Sequence, residues 1–173
     1  MRINLDKLVL STEILKVKQK ILLSGVIYTA RDAAHKRIID ILDRRGKLPF
    51  DFKNAAIYYC GPTPAKPGTV IGSCGPTTSY RMDVFTPKII REGVKVLIGK
   101  GSRSDNVINS IKENKAIYFI VTGGVGALIS KTVKKVDLIS FKDLGPEAIY
   151  RLEIIDMPLI VAVDRCGNNI FKK

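Results

Sequence analysis

The sequence predicts an α/β fold, and three observations carry that prediction. Short apolar runs rich in β-branched and aromatic residues recur along the chain, at 55–60, 94–98, 116–121, 136–141 and 159–164. Stretches with helical spacing of apolar positions alternate with them, which is the pattern of strands interleaved with helices. Glycine, proline and small polar residues punctuate the junctions. With 173 residues and 46% hydrophobic content, the chain is long enough for one real core, so residues 1–173 are expected to form a single domain.

Residues 5–23 are rich in β-branched and alternating positions, and 16–28 reads as a strand or hairpin. A helix is expected over 29–42, where Ala34, Ile38, Ile41 and Leu42 share a face. Thr29 or Asp32 is suited to cap it, which sets Arg31 at its N-terminal end beside a strand tip. His35, the only histidine, lies on this helix. A lone histidine at helical spacing is most often packed or solvated, and a direct role is the competing reading. After a polar turn at 46–52 and the strand at 55–60, three prolines within 61–68 rule out further sheet.

The central stretch is 72–83, Gly-Ser-Cys-Gly-Pro-Thr-Thr-Ser-Tyr-Arg-Met-Asp. Thr69, Val70 and Ile71 read as a strand leading in, and 83–92 as a helix leading out, so the stretch is expected to be a strand-to-helix turn. Gly72 and Gly75 permit unusual backbone angles, and Pro76 fixes its own φ. Thr77, Thr78 and Ser79 are N-cap types whose hydroxyls suit an anion at a helix start, and Arg81 adds a planar fork. A solvated Arg81 beside an ordinary cap is the plainer alternative.

A second such turn follows the strand at 94–98: Gly99-Lys100-Gly101, then a helix over 107–113. Lys100 between two glycines suits close approach to an anion, although the spacing is not that of a P-loop. The strand at 116–121 leads to a third turn, where Gly123, Gly124 and Gly126 fit tight helix–strand packing better than a dinucleotide loop. A helix over 128–133, the strand at 136–141, a short helix over 145–152 with Pro146 near its start, and the closing strand at 159–164 complete the chain. Arg31, Arg81 and Lys100 thus all fall at strand-to-helix ends, the edge where α/β sheets bind ligands. Together they predict a small dianion.

Composition bounds the function class. No apolar run is long enough to span a membrane, and the N-terminus lacks a signal-peptide pattern, so a cytoplasmic protein is expected. Cys60, Cys74 and Cys166 have no paired spacing, which argues against a disulfide framework and against a zinc or iron–sulfur site within this chain. The net charge of +13 fits a nucleic-acid surface, an anionic substrate or an acidic protein partner. No basic tail or aromatic–basic signature favours nucleic acid.

The run Gly75-Pro76-Thr77-Thr78-Ser79-Tyr80-Arg81-Met82-Asp83 resembles the signature of the β subunit, or C-terminal domain, of class I iron–sulfur fumarases and tartrate dehydratases. The run from Tyr28 to His35, Gly61-Pro62-Thr63, Gly99-Lys100-Gly101 and the 158–171 ending extend the resemblance. It implies a swivelling β/β/α fold and a hydro-lyase activity, the reversible hydration of fumarate to malate. It further implies that this chain holds no metal and that a [4Fe-4S] cluster sits on an α subunit, in a heterodimer or an α2β2 heterotetramer. Thr77 matches the catalytic base, and Arg31, Arg81 and Lys100 match the cations that hold a C4 dicarboxylate. Thr78 matches the substrate-binding loop and Asp83 its support. Ser79-Tyr80 departs from the Ala-Gly of many bacterial fumarases, which puts Tyr80 in position to crowd the pocket. A tartrate or mesaconate-type dehydratase is the same-class alternative, and a non-catalytic anion- or nucleic-acid-binding module the different-class one.

Overall fold

The computed structural model describes residues 1–11, 15–121 and 126–172. The expected turn at 122–125 lies outside the described residues. The remainder is a mixed α/β fold, as its alternating periodicity predicts.

Seven strands form one sheet: β1 (Arg2–Asn4), β2 (Lys20–Thr29), β3 (Ala56–Tyr58), β4 (Val96–Gly99), β5 (Ile117–Ile120), β6 (Val133–Ser140) and β7 (Ile149–Val163). Their order is β1-β2-β3-β4-β5-β7-β6, with β2 also paired to β7. β2, β3, β4 and β5 are mutually parallel neighbours, and β7 runs antiparallel to both β5 and β2. These pairings close a ring of five strands, which leaves β1 and β6 as the flanking edges. Closure protects the edges of the central strands from pairing elsewhere.

Alternation along the strands divides the apolar side chains between two cores. Leu23, Ile27, Ala56, Tyr58, Val96, Ile98, Ile117, Phe119 and Val161 share one. Ile57, Leu97, Tyr118 and Ala162 pack in the other, against Ala34 and Ile38 of α2 (Asp32–Asp43), Ile89 and Ile90 of α3 (Thr86–Arg91), and Val107 and Ile111 of α4 (Asp105–Glu113). Two further helices, α1 (Leu5–Ser11) and α5 (Gly126–Thr132), complete the fold. No helix among the described residues is long and apolar enough to cross a membrane.

Several local expectations are corrected. Residues 5–11 form α1 rather than strand, because Leu5 and Leu8 bury on one helical face. There is no hairpin at 16–28; β2 runs as a single strand of ten residues with an irregularity at Gly25. A Cβ there would lie 2.8 Å from the Cβ of Leu5, at φ +137°, so the close approach of α1 requires glycine. Residues 145–152 are not a helix. A 3-10 segment ends at Glu147, and from Ile149 the chain enters β7, whose fifteen residues pair with three strands. Backbone pairing by three neighbours outweighs the local helix signal of Pro146 and Glu147.

Candidate active site

The C-terminal ends of the adjacent parallel strands β2, β3 and β4 lie on one edge of the sheet. After β2, the N–H of Ala30 donates to the carbonyl of Tyr58 at 3.1 Å, and Arg31 follows as the N-cap residue of α2. After β3, the Tyr59 carbonyl accepts the N–H of Thr77 at 2.6 Å, and Cys60 bridges back to Pro76. After β4, Lys100 lies in a parallel bridge with Thr78; its carbonyl accepts the Ser79 N–H at 3.0 Å and its own N–H donates to Ser79 Oγ at 3.1 Å. Arg31, Thr77, Thr78, Arg81 and Lys100 are therefore gathered at one strand edge, the place where α/β sheets bind ligands.

The route to this arrangement differs from the expected one. Thr69, Val70 and Ile71 are not a strand; the chain from Gly61 to Thr78 is a loop that folds back over the end of β3. The four prolines of this loop lack the N–H a strand would donate, and its glycines weaken any extended run. The hydroxyls of Thr77, Thr78 and Ser79 do not cap a helix. Thr78 precedes a 3-10 turn, Ser79–Met82, without a side-chain cap bond, and α3 begins only at Thr86. Ser79 Oγ instead joins the two loops, accepting from Lys100 N and from Tyr118 Oη at 2.9 Å. Gly99 makes this possible, since a Cβ on it would lie 2.0 Å from Ser79 Oγ. The capping of α2 is corrected too. Thr29 Oγ1 is turned to Ala148 and Tyr150, and the acceptor for the Ala33 N–H is Glu147 Oε2 at 3.0 Å.

The upper layer of the site is charged and partly open. Arg81, with 56% of its side chain exposed, ion-pairs through Nε with Asp32 Oδ1 at 2.9 Å. Arg31 Nη2 lies 3.1 Å from Glu147 Oε1 and 3.7 Å from Asp32 Oδ2. Arg31 Nε and Asp32 Oδ2 are buried without a hydrogen-bond partner. Thr77 is half-buried, and its hydroxyl has no hydrogen-bond partner among the described residues. Tyr80 is turned outward and exposed, so it does not crowd this chain's own side of the site. Surface clefts of about 270 to 410 Å³ are lined by other residues, while Arg81 and Lys100 of the cation cluster are exposed.

Beneath it lies a closed layer centred on Arg103, which sequence reasoning missed. Its side chain is 0% exposed. Nε donates to Asp83 Oδ1 at 2.7 Å, Nη2 to Thr86 Oγ1 at 2.7 Å and Nη1 to Tyr59 Oη at 3.3 Å. The guanidinium sits over the rings of Tyr59 and Tyr118, about 5 Å from each centroid. Burial works against the charge, and Tyr59, Asp83 and Tyr118 outweigh it, so the Arg103 pKa is raised. Asp83 is thus a support residue; its second oxygen accepts the Ser104 N–H, while Ser104 Oγ caps α4. No local pattern in Gly-Ser-Arg-Ser marks a buried arginine. Glu147 was equally hidden, because its partners are more than a hundred residues away.

His35 is buried, and its Nδ1 lies 2.8 Å from the Arg31 carbonyl while Nε2 has no partner. Desolvation lowers its pKa to about 4, against the opposing hydrogen bond with Arg31. The ring is neutral and packs near Tyr59 and Phe85. The histidine is packed rather than solvated. The contact with Cys74, and then burial, raise the Cys60 thiol pKa; the two buried sulfurs are 3.1 Å apart, while Cys166 is exposed in the turn after β7. Among the described residues no group of three or more His, Cys, Asp or Glu is placed to hold a metal ion.

The family model of the Fumarase C-terminus matches residues 1–173. A relative from Methanocaldococcus jannaschii, named for the beta subunit of an L(+)-tartrate dehydratase, is 40% identical over 165 residues, covering 92% of this chain and 85% of that protein. The L(+)-tartrate dehydratase subunit beta of Shigella sonnei is 32% identical, with 90% and 79% covered. Fumarate hydratase 2 of Leishmania major is 35% identical over 91% of this chain, which spans only 28% of that longer protein. The motif, the strand edge it occupies and these matches agree: the chain belongs to the Fumarase C-terminus family.

Proposed function

We propose that this chain is the β subunit of a two-subunit hydro-lyase of the cytoplasm, acting on a C4 dicarboxylate, with fumarate and malate as the first substrate pair. The observation that carries the reading is the convergence of Arg31, Thr77, Arg81 and Lys100 on the C-terminal ends of three neighbouring strands. Two guanidinium forks and an ammonium suit two carboxylates held at a fixed spacing. In this reading they orient the substrate and stabilise the charge that grows on a carboxylate as the neighbouring C–H proton leaves. The half-buried Thr77 hydroxyl is the group that takes that proton, and Thr78 lines the same loop. A threonine hydroxyl is a weak base in water, so the surrounding cations are needed to favour its anionic form.

A [4Fe-4S] cluster does not fit this chain's own thiols, because Cys60 and Cys74 are buried against each other. The cluster therefore belongs to an α subunit in this reading, and the open face over Arg81 and Lys100 is where that subunit completes the site. The beta-subunit names of the relatives covered over most of their length support a two-chain enzyme, and they make tartrate the second substrate to assay. A nucleic-acid surface is not favoured, since Arg31 and Arg81 are ion-paired to carboxylates and Arg103 is buried.

The test is anaerobic co-production with a cluster-bearing dehydratase α subunit, followed by assays with malate and then tartrate. Activity that requires both chains and falls by orders of magnitude in Thr77→Ala is expected. A stable assembly that turns over neither substrate would overturn the substrate assignment, and absence of assembly would overturn the subunit assignment.

A further inference from the structure

Two guanidinium groups cannot hold a fixed spacing near one another without a counter-charge, since like charges repel and long side chains have rotamer freedom to separate. The cluster contains that counter-charge. Asp32 lies between the two arginines, with Oδ1 2.9 Å from Arg81 Nε and Oδ2 3.7 Å from Arg31 Nη2. Glu147 stands on the other side of Arg31, 3.1 Å from Nη2, and is itself fixed by the Ala33 N–H. Gly61 bounds the remaining side. A Cβ there would lie 3.0 Å from Arg31 Cδ, 3.1 Å from Nη1 and 3.1 Å from the Pro146 carbonyl.

We propose that Asp32 and Glu147 are positioning residues: Asp32 between Arg31 and Arg81, and Glu147 beside Arg31, set the two guanidinium groups at one spacing before a dicarboxylate arrives. This rests on the hydro-lyase reading for its substrate, and on geometry alone for the ion pairs. Arg81 meets Asp32 most closely at Nε, and its guanidinium makes no hydrogen bond among the described residues, so its two terminal nitrogens remain for a bidentate carboxylate. Two positive and two negative groups cancel, while Lys100, at the end of the neighbouring strand, has no ion-pair partner among the described residues. Binding then depends on the geometry of the forks more than on bulk positive charge. The buried, unpartnered Arg31 Nε and Asp32 Oδ2 mark a cluster that is ion-paired but still lacks hydrogen bonds.

Asp32→Asn separates positioning from simple neutralisation. If Asp32 only offset charge and competed with substrate, its removal would lower KM and spare kcat. A positioning role predicts the reverse: kcat falls at least about 10-fold while KM moves less than about 3-fold, because small misplacements cost rate more than binding. Asp32→Glu, which keeps the charge, is expected to recover most of the loss. The assays use the two-chain enzyme with malate and tartrate. A kcat unchanged in Asp32→Asn, or reduced only in proportion to lost folded protein, overturns the proposal.

An arginine-selective 15N spectrum of the full chain supplies a readout independent of turnover, with Arg81→Lys identifying the Arg81 Nε–H signal. Asp32→Asn is expected to shift that signal and leave the Arg103 signal in place. If neither substrate is turned over by the wild-type assembly, the hydro-lyase reading fails, and the spectrum still decides the ion pair. An unmoved Arg81 signal overturns the positioning role.

Discussion

Arg103 and Arg81 each pair with an aspartate, Asp83 and Asp32, and they do so in opposite ways. Arg103 is out of water, with directed hydrogen bonds to Asp83, Thr86 and Tyr59 and a tyrosine ring on either side. Arg81 is more than half exposed and meets Asp32 most closely at Nε, with no hydrogen bond of its guanidinium among the described residues. The first cluster has used its polar groups to join the 3-10 turn to the loop after β4. The second has left hydrogen-bonding capacity unused at an open edge. The closed cluster is a brace, and in the proposed function the open one is the receptor that it aims: Asp83 is two residues from Arg81, and Arg103 three from Lys100.

The brace can be broken most severely. Arg103→Met leaves the Asp83 carboxylate buried without its partner and should cost ~3–5 kcal/mol, read as a shift in the urea unfolding curve. Adding Asp83→Asn should return part of that loss, because the two sites are directly coupled. A smaller effect comes from His35, whose ring packs near the brace while its Nδ1 meets the backbone of Arg31. Its folded pKa of about 4 lies below the ordinary histidine value of 6.5, so the unfolded chain binds the proton more tightly. The associated stability is fully present above pH 6.5 and is lost as pH falls toward 4, by about 3 kcal/mol in all. Unfolding free energy measured against pH should show this slope, and His35→Gln should flatten it.

The receptor should respond in activity rather than in stability. Gly61→Ala places a methyl group against Arg31 and is expected to lower kcat/KM about tenfold, equivalent to ~1.4 kcal/mol, with the assembled enzyme as the assay. Arg81→Met should have the smallest effect on folding, under about 1 kcal/mol, as for other exposed ion pairs. The same variant should lose at least about 100-fold in kcat/KM, because a bidentate clamp has no substitute. Comparable stability losses in Arg81→Met and Arg103→Met would erase the distinction between the two clusters.

Much of the open cluster was legible in the chain before any coordinates. Glycine-flanked Lys100, Arg31 before a helix and the Pro-Thr-Thr stretch before Arg81 are local signals, and local signals survive in sequence. The central strands at 56–58, 96–99 and 117–120 were likewise visible as apolar runs, because each is buried on both faces. The closed cluster was not legible. Arg103 looks like a solvated turn residue until Tyr59, just past β3, and Tyr118 of β5 pack against it. Glu147 looks like a helix start until β7 carries the chain back past Arg31. Residues 69–71 look like a strand because they are apolar, and only the missing partner strand shows otherwise.

By itself, then, the sequence determined the alternation of strands and helices and the chemical kinds of residue at three strand ends, since these depend on neighbours within a few positions. The tertiary structure alone decided that the strands close into a ring, that Ser79 joins two loops rather than capping a helix, and that one arginine is buried while another is open. Those outcomes depend on contacts between residues 20 to more than 100 positions apart, as in Lys100 with Ser79 and Ala33 with Glu147. Such pairs leave no local periodicity, because the free energy that selects them exists only once the intervening chain has packed.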